Sequence, residues 1–419
     1  MGSLGGHMSH LWEDLDLSFG DINEIFYQAC MGDLESTEKF DGINLHFRVD
    51  SAGDLRFSTN GKHRESGGLT QVQFSKLMEN HPARQTFVDG SEALFRLTKK
   101  SFWPFGFSGR NWINCDLINK HRPMTVNYDD CAIVFHGVRN FYGDSAASIS
   151  ESFDKYSNDC SSHSVFINEN EWRVYAPVFV SLPDLRGNGV LSNFESSLNK
   201  LMVASGCNKN STLREFARVT LEKGVISELK ISALKKEQLV SHIFREGNTS
   251  LVKIKNGLPK NVAARVSELG SAKNRNKVIG EAMLPLELVV TYGGAQLLES
   301  VSSLLIEDST FEKDRLKNSV QASVLMVEAC SDHYNEVRKK LVERYVNKFE
   351  LCGGLTSSVE GIVFEWKSDS YKITGNFAPI NHILGIPRYG RGKIPPLEDG
   401  QHLNEVISDL ELIRSMARF

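Results

Sequence analysis

Residues 36–50 carry the sharpest hydrophobic pattern in the chain. In their second half, apolar side chains such as Ile43, Leu45 and Phe47 occupy every second position, with polar residues between them. This period of two predicts a half-buried strand. Lys39 lies just before the strand begins. A lysine at the mouth of a strand can act as a nucleophile when its surroundings disfavour the ammonium form.

The hydrophobic period changes along the chain, and these changes predict its domain organisation. Strand-like alternation dominates the first part and returns near the end, whereas apolar residues recur at helical spacing between them. We therefore predict an α+β protein in which an antiparallel, strand-rich domain (residues 9–187 and 350–385) is interrupted by a helical insertion (residues 188–349). Residues 1–8 are expected to be a tag remnant, and residues 386–419 a basic loop followed by a helix.

Composition and charge narrow the class of protein. The chain has 419 residues, of which 41% are hydrophobic and 24% charged, as in soluble globular proteins. Its formal charge is -4, so nucleic-acid binding would require a local basic surface. We expect a cytoplasmic protein without a membrane span, because no long apolar run or signal peptide is present. Seven scattered cysteines without a C-x-x-C pair indicate reduced thiols.

Part of the predicted insertion is basic. A solvated surface is one interpretation of this cluster, and a surface facing nucleic acid is the other. The residues concerned are Lys253, Lys255, Lys260, Arg265, Lys273, Arg275 and Lys277.

The residues around Lys39 form a recognisable motif. Glu38 precedes the lysine, Asp41 and Gly42 follow it, and Asn44 comes two positions after the glycine. This pattern resembles motif I of the covalent nucleotidyltransferases, which include polynucleotide ligases and mRNA capping enzymes, and it is most similar to ATP-dependent RNA ligases of bacteriophages. The resemblance implies that Lys39 is the catalytic nucleophile and that the other four residues bind the nucleotide. Glycine would let the backbone approach that ligand closely.

Later segments resemble further motifs of the family in the family's order. Glu360 begins a Glu-Gly-Ile-Val-Phe segment that matches motif IV, whose glutamate helps to hold a divalent metal. Lys372 matches the first lysine of motif V, whereas Thr374 stands in place of the second. Asp116 stands where motif III has a carboxylate. The resemblance implies that Lys372 is catalytic, that Glu360 and Asp116 bind Mg²⁺, and that all three contact the nucleotide.

Two further sets of nucleotide contacts are implied by the same resemblance. A Ser-Thr-Asn-Gly segment resembles motif Ia, but Thr59 replaces its arginine, so Arg56 or Arg64 would supply the cation. Phe135 or His136 would stack on the base. From the residues alone, a core position for Phe135 and a hydrogen-bonded surface or core position for His136 are favoured over a contact with the base.

The resemblance implies an ATP-dependent RNA-ligase-like enzyme. Such an enzyme forms a covalent lysyl-AMP intermediate with ATP and Mg²⁺ and then joins 5′-phosphate and 3′-hydroxyl ends, with RNA favoured over DNA as the partner. A phage protein acting in the host cytoplasm fits this resemblance. The segment after motif V is too short for the OB-fold of DNA ligases and capping enzymes, which favours the RNA-ligase type.

Two alternatives to a ligase remain open. One is a nucleotidyltransferase whose acceptor is a protein or a small molecule. The other is a degenerate nucleic-acid-binding protein on the same scaffold, suggested by Thr59 and Thr374. The residues themselves do not separate ATP from GTP.

Overall fold

The structure is a computed structural model, and it is a mixed α+β structure, as the predicted class requires. It contains 51% helix and 19% strand, and its sheets are largely antiparallel. The chain divides into two compact units, of which one contains residues 35–181 and 298–419 and the other residues 9–34 and 182–297. The residues that the structure describes are 8–50, 52–81, 83–100, 112–121, 125–126, 128–139, 158, 160–175, 179–180, 182–305, 309–329, 336–367 and 369–389.

Strands and helices are numbered here in chain order. The described strands are β1 Ser9–His10, β2 Ser36–Lys39, β3 Ile43–Val49, β4 Leu55–Ser58, β5 Trp112–Ile118, β6 Cys131–Arg139, β7 Ser164–Ile167, β8 Asn170–Tyr175, β9 Phe179–Val180, β10 Gly361–Trp366 and β11 Asp369–Ile373. The described α-helices are α1 Phe19–Met31, α2 Gly61–Glu65, α3 Gln71–Leu77, α4 Arg84–Lys100, α5 Val190–Ser205, α6 Leu213–Lys223, α7 Ala233–Ile243, α8 Leu251–Lys255, α9 Lys260–Gly270, α10 Arg275–Leu305, α11 Ser309–Ala329, α12 Glu336–Leu351 and α13 Phe377–Tyr389.

The first unit, which we call the strand-rich unit, contains a small sheet with the strand order β11-β10-β2-β9. Neighbouring strands in this series run antiparallel. The register pairs Lys39 with Gly361, and it pairs Val363 with both Thr37 and Lys372. Because side chains alternate along each strand, Lys39 and Lys372 emerge on the same face of this sheet.

A second sheet of the strand-rich unit has six strands in the order β4-β3-β5-β6-β8-β7. Its pairs are antiparallel except β6 and β8, which run parallel. One face is apolar and carries buried residues such as Leu45, Phe47 and Cys115, against which Phe74 of α3 and Phe87 of α4 pack. The chain passes from the small sheet to this one between β2 and β3, so the residues after Lys39 lie at the crossing.

Helices α11, α12 and α13 form a separate packed group within the strand-rich unit. Ile380, Ile383 and Leu384 of α13 are buried against Val320 of α11. The preceding loop is fixed by Asn376, whose side-chain amide donates to two backbone carbonyls at 3.0 Å. Residues 390–419, which include most of the predicted basic loop and final helix, lie outside the described residues, as do residues 1–7 of the predicted tag.

The second unit is all helical apart from β1 in its described part, and we call it the helical unit. Its boundaries differ from those of the predicted insertion, because α1 belongs to it and α11 and α12 do not. Helix α1 belongs to the helical unit because it packs against a distant part of the chain. Phe26 of α1 stacks on Phe194 of α5, with ring centroids 3.7 Å apart. A Cβ at Gly293 would lie 2.6 Å from Phe194, so only glycine lets α10 approach this pair closely.

One helical stretch of the described residues has the length and composition of a membrane span. It covers Arg275–Ser302, and 50% of its most apolar window is buried inside the protein. The core helix of a soluble protein passes the same test.

Candidate active site

Lys39 and Glu360 form the centre of the candidate site. Nζ of Lys39 lies 2.6 Å from Oε1 of Glu360, and the side chains are 15% and 11% exposed. The register explains the contact, because Glu360 immediately precedes Gly361, which pairs with Lys39 across β2 and β10. Residues far apart in the sequence therefore meet at one end of two neighbouring strands.

Glycines beside this pair permit close approach of the surrounding chain. A Cβ at Gly42 would lie 2.6 Å from Cβ of Asp116, which brings the crossing segment against β5. A Cβ at Gly361 would collide with the carbonyl oxygen of Ile373 on β11 and would lie 3.0 Å from Cα of Thr374. Both glycines are therefore required for the backbone geometry that places Lys39 near these strands.

Asp41 fixes the crossing segment by hydrogen bonds to the backbone. Its Oδ2 accepts from the N–H groups of Thr125 and Val126, the latter at 2.8 Å. Its own N–H donates to the hydroxyl of Tyr128 at 2.8 Å. Sequence reasoning gave no role to Tyr128, because it lies in an irregular segment without a hydrophobic period. The structure thus gives Asp41 an organising position beside Lys39.

Asp116 lies on the polar face of the six-stranded sheet within a network of side chains. The amide of Asn44 donates to Asn114 at 2.6 Å and to Oδ1 of Asp116 at 3.3 Å. Nε2 of His136 lies 2.9 Å from Oδ2 of the same carboxylate. A break in the register between Asn114 and Cys115 accompanies this arrangement. Asn114 had no predicted role, although it is polar and alternates with apolar residues.

The surrounding charges shift the pKa values of the central groups. Burial works to lower the pKa of Lys39, but the carboxylates of Glu360, Asp116 and Asp41 raise it above its usual value. Burial raises the pKa of Glu360 to about 8, although Lys39 opposes that shift. In the structure Lys39 is therefore held as an ammonium ion in a short contact with a carboxyl group, rather than as a free amine.

Two other acidic groups show opposite pKa shifts. Burial raises the pKa of Glu38 to about 7. Burial also works to raise the pKa of Asp116, but His136 and Lys39 lower it below its usual value. Asp116 is thus an anion at neutral pH, whereas Glu38 takes up a proton more readily than a free glutamate.

The other predicted site residues fall into two groups. Lys372 shares a face of the small sheet with Lys39, and the register places it level with Thr37, two residues before Lys39 on β2. Arg56 instead lies near the hairpin end of β3 and β4, where its Nε donates to Asp50 at 2.8 Å. Arg64 lies on the short helix α2 beyond β4.

Phe135 lies on the apolar face of the six-stranded sheet. It is fully buried, and its ring centroid is 5.6 Å from that of Phe47. That position does not support a stacking role on a nucleotide base. The next residue, His136, instead points to the polar face of the sheet, where it contacts Asp116.

The side chains predicted to bind magnesium both carry carboxylates. Glu360 and Asp116 offer carboxylate oxygens, which Mg²⁺ prefers, and Mg²⁺ often uses one or two carboxylates together with phosphates and water. No group of three or more His, Cys, Asp or Glu side chains suited to a metal is found among the described residues. The residues present therefore fit a magnesium ion that is bound jointly with a nucleotide better than one held by protein alone.

Comparison with known proteins gave no match: no family model, curated protein or solved structure is similar to this chain.

Proposed function

We propose that the protein is an ATP-dependent nucleotidyltransferase of the RNA-ligase type, which forms a covalent lysyl-AMP intermediate on Lys39. The contact of Nζ of Lys39 with Glu360 at 2.6 Å carries the proposal. This contact brings together the two segments that resemble motifs I and IV. If each resemblance were due to chance, there would be no reason for the two segments to meet at the ends of neighbouring strands.

The proposed chemistry begins with the amine form of Lys39. Nζ attacks the α-phosphorus of ATP, an N–P bond forms, the bond from this phosphorus to the bridging oxygen breaks, and pyrophosphate leaves. A nitrogen proton must also leave, and Glu360 lies within hydrogen-bond distance to accept it. Burial raises the pKa of Glu360, so its carboxylate is a stronger base than a free glutamate.

The raised pKa of Lys39 implies that ligand binding must activate the nucleophile. The carboxylates of Glu360 and Asp116 help to keep the lysine charged. Mg²⁺ bound beside them would supply positive charge that offsets these carboxylates and the phosphates of the nucleotide. Lys372 lies on the same face of the sheet as Lys39, and its positive charge would also offset these negative charges. In our proposal Lys39 rests as an ammonium ion and loses its first proton to solvent only when nucleotide and Mg²⁺ are bound; Glu360 accepts the second proton as the N–P bond forms.

The ligase steps would follow on the same face. AMP passes from Lys39 to a 5′-phosphate, and a 3′-hydroxyl then displaces it to seal the strand. The polar network of Asn44, Asp116 and His136 supports this proposal, because it presents hydrogen-bonding groups beside the nucleophile. RNA is the proposed acceptor.

Intact-mass spectrometry tests the proposal. Incubation with Mg²⁺ and ATP or GTP should raise the mass by one nucleoside monophosphate, and Lys39→Ala should abolish the increase because no other group replaces the amine. Lys62→Ala is the matched control, since that lysine is exposed on α2. Failure to form an adduct with any nucleotide would overturn the proposal.

Sealing assays then separate the proposed function from its alternatives. Joining of 5′-phosphorylated RNA by the adduct-forming protein supports the ligase. An adduct that is not passed to any RNA or DNA end would instead support a nucleotidyltransferase with another acceptor. Nucleic-acid binding without an adduct would support a degenerate binding protein.

A further inference from the structure

The helical unit carries a concentration of positive charge that the proposed chemistry does not use. Between residues 230 and 277 there are eleven Lys or Arg residues and three Glu residues, a net charge of +8, whereas the whole chain carries -4. The rest of the protein is therefore strongly acidic, and this segment stands apart from it electrostatically.

Three short helices hold this segment together through a small apolar core. Leu239 and Ile243 of α7, Ile254 of α8 and Val266 of α9 are buried. A Cβ at Gly270 would lie 2.5 Å from Leu251, so α9 and the start of α8 pack closely. The basic side chains are consequently fixed on a folded surface rather than spread along a loose chain.

Several of these cations gather around the turn between α8 and α9. Lys255 precedes the turn and Lys260 follows it, while the ammonium group of Lys235 donates to the carbonyl of Asn256 within it. Lys253 is exposed on α8. Among the described residues, Lys253, Lys255 and Lys260 have no carboxylate within ion-pair distance, in contrast to Arg265, which pairs with Glu268 at 2.7 Å.

The backbone at this turn adds to the positive potential. Helix α9 begins after Pro259 without a side-chain cap, so the N–H groups of its first turn point away from the helix. The positive end of the helix dipole lies there too, beside Lys260. These features strengthen an anion-attracting surface that the lysines already define.

The type of anion follows from what the surface lacks. Phe244 is the only Phe, Tyr or Trp between residues 230 and 277, and it is buried. Stacking of unpaired bases requires exposed aromatic rings. Regularly spaced phosphates require only cations and backbone N–H groups.

We propose that the α7–α9 surface of the helical unit, centred on Lys235, Lys253, Lys255 and Lys260, binds the phosphate backbone of nucleic acid independently of base sequence. This is a binding site beyond the proposed adenylation chemistry. It gives the helical unit a function of its own: to hold the strand whose ends are joined.

Fluorescence anisotropy of the full chain with labelled RNA tests this inference. The RNA should lack a 5′-phosphate, and ATP and Mg²⁺ should be omitted, so that no nucleotide transfer contributes. Wild-type affinity should fall steeply between about 50 and 200 mM KCl. K253E/K260E should weaken binding by at least about tenfold and reduce the slope of log K against log salt by about 2. Two sequences of equal length should bind equally.

The matched control is K200E/K209E, which makes the same charge change at exposed lysines elsewhere in the helical unit. Unaltered binding by K253E/K260E, or an equal loss in the control, would overturn the inference. Binding of poly-L-glutamate with the same affinity as RNA would also overturn the inference, because it would show a surface that binds any polyanion and does not recognise phosphates. Circular dichroism checks folding. Because K253E/K260E leaves Lys39 intact, this variant should still form the covalent adduct. Failure of the binding inference can therefore be distinguished from failure of the proposed function.

Discussion

The two units of the protein use charge in opposite ways. In the strand-rich unit, charged groups are buried at strand ends, as in the pair of Lys39 and Glu360. In the helical unit, Lys253 and Lys260 are exposed on a small folded surface. Burying charge is costly and shifts pKa values, whereas exposing it leaves the groups free to meet a charged partner. In our proposals, the first unit carries out the chemistry and the second binds nucleic acid.

The largest effect is expected from a substitution at Glu360. Glu360→Gln keeps the size of the side chain but removes the carboxylate 2.6 Å from Nζ of Lys39, which we propose as proton acceptor and magnesium ligand. We expect adduct formation to slow by about 10²–10⁴-fold, the usual contribution of a positioned base. Glu365→Gln, at an exposed position of the strand β10 that follows Glu360, is the control. Equal rates in the two variants, measured by intact mass over time, would contradict the role of Glu360.

A smaller effect is expected from adding one methyl group at the crossing. Gly42→Ala would place Cβ 2.6 Å from Cβ of Asp116, so the crossing segment or β5 must shift. We expect the free energy of unfolding to fall by about 1–3 kcal/mol, as for other overpacked sites. Adduct formation should slow as well.

Gly280→Ala on α10 is the matched control, because its Cβ would meet no atom within 4 Å. Helical alanine should raise stability there by about 0.5–1 kcal/mol. If urea unfolding showed the same change in the free energy of unfolding for both variants, the close approach of Gly42 to Asp116 would not contribute to stability.

A third effect concerns stability and its dependence on pH. Burial raises the pKa of Glu38 from 4.5 to about 7, so the folded protein binds more protons than the unfolded chain between these values. Wild-type stability from this group should therefore fall as pH rises through that window. Glu38→Gln removes the titration, and its stability advantage should grow from near zero at pH 4 to at most about 3 kcal/mol at pH 8. An advantage that is constant with pH, measured by urea unfolding, would exclude buried ionisation of Glu38 as its cause.

The sequence was sufficient to predict much of the strand-rich unit. Alternation from Ile43 onward predicted β3, which depends on local periodicity alone. The resemblance to the nucleotidyltransferase motifs, and not a local pattern, implied that Lys39 and Glu360 would serve one site.

Packing between distant segments could not be predicted in this way. Helix α1 precedes β2 directly, yet Phe26 finds its partner in α5. Phe135 and His136 are adjacent, and only the sheet register determines which of them faces the core. Tyr128 contacts Asp41 from an irregular segment, where no periodic pattern exists to mark it.

Peptide mapping of the covalent adduct tests the central claim most directly. After incubation with ATP and Mg²⁺, proteolysis and tandem mass spectrometry should locate AMP on Lys39, linked through an N–P bond that is labile to acid. The exposed Lys62 on α2 should be unmodified in the same digest. AMP on another residue, or an unmodified Lys39 with every nucleotide and divalent cation offered, would contradict the account.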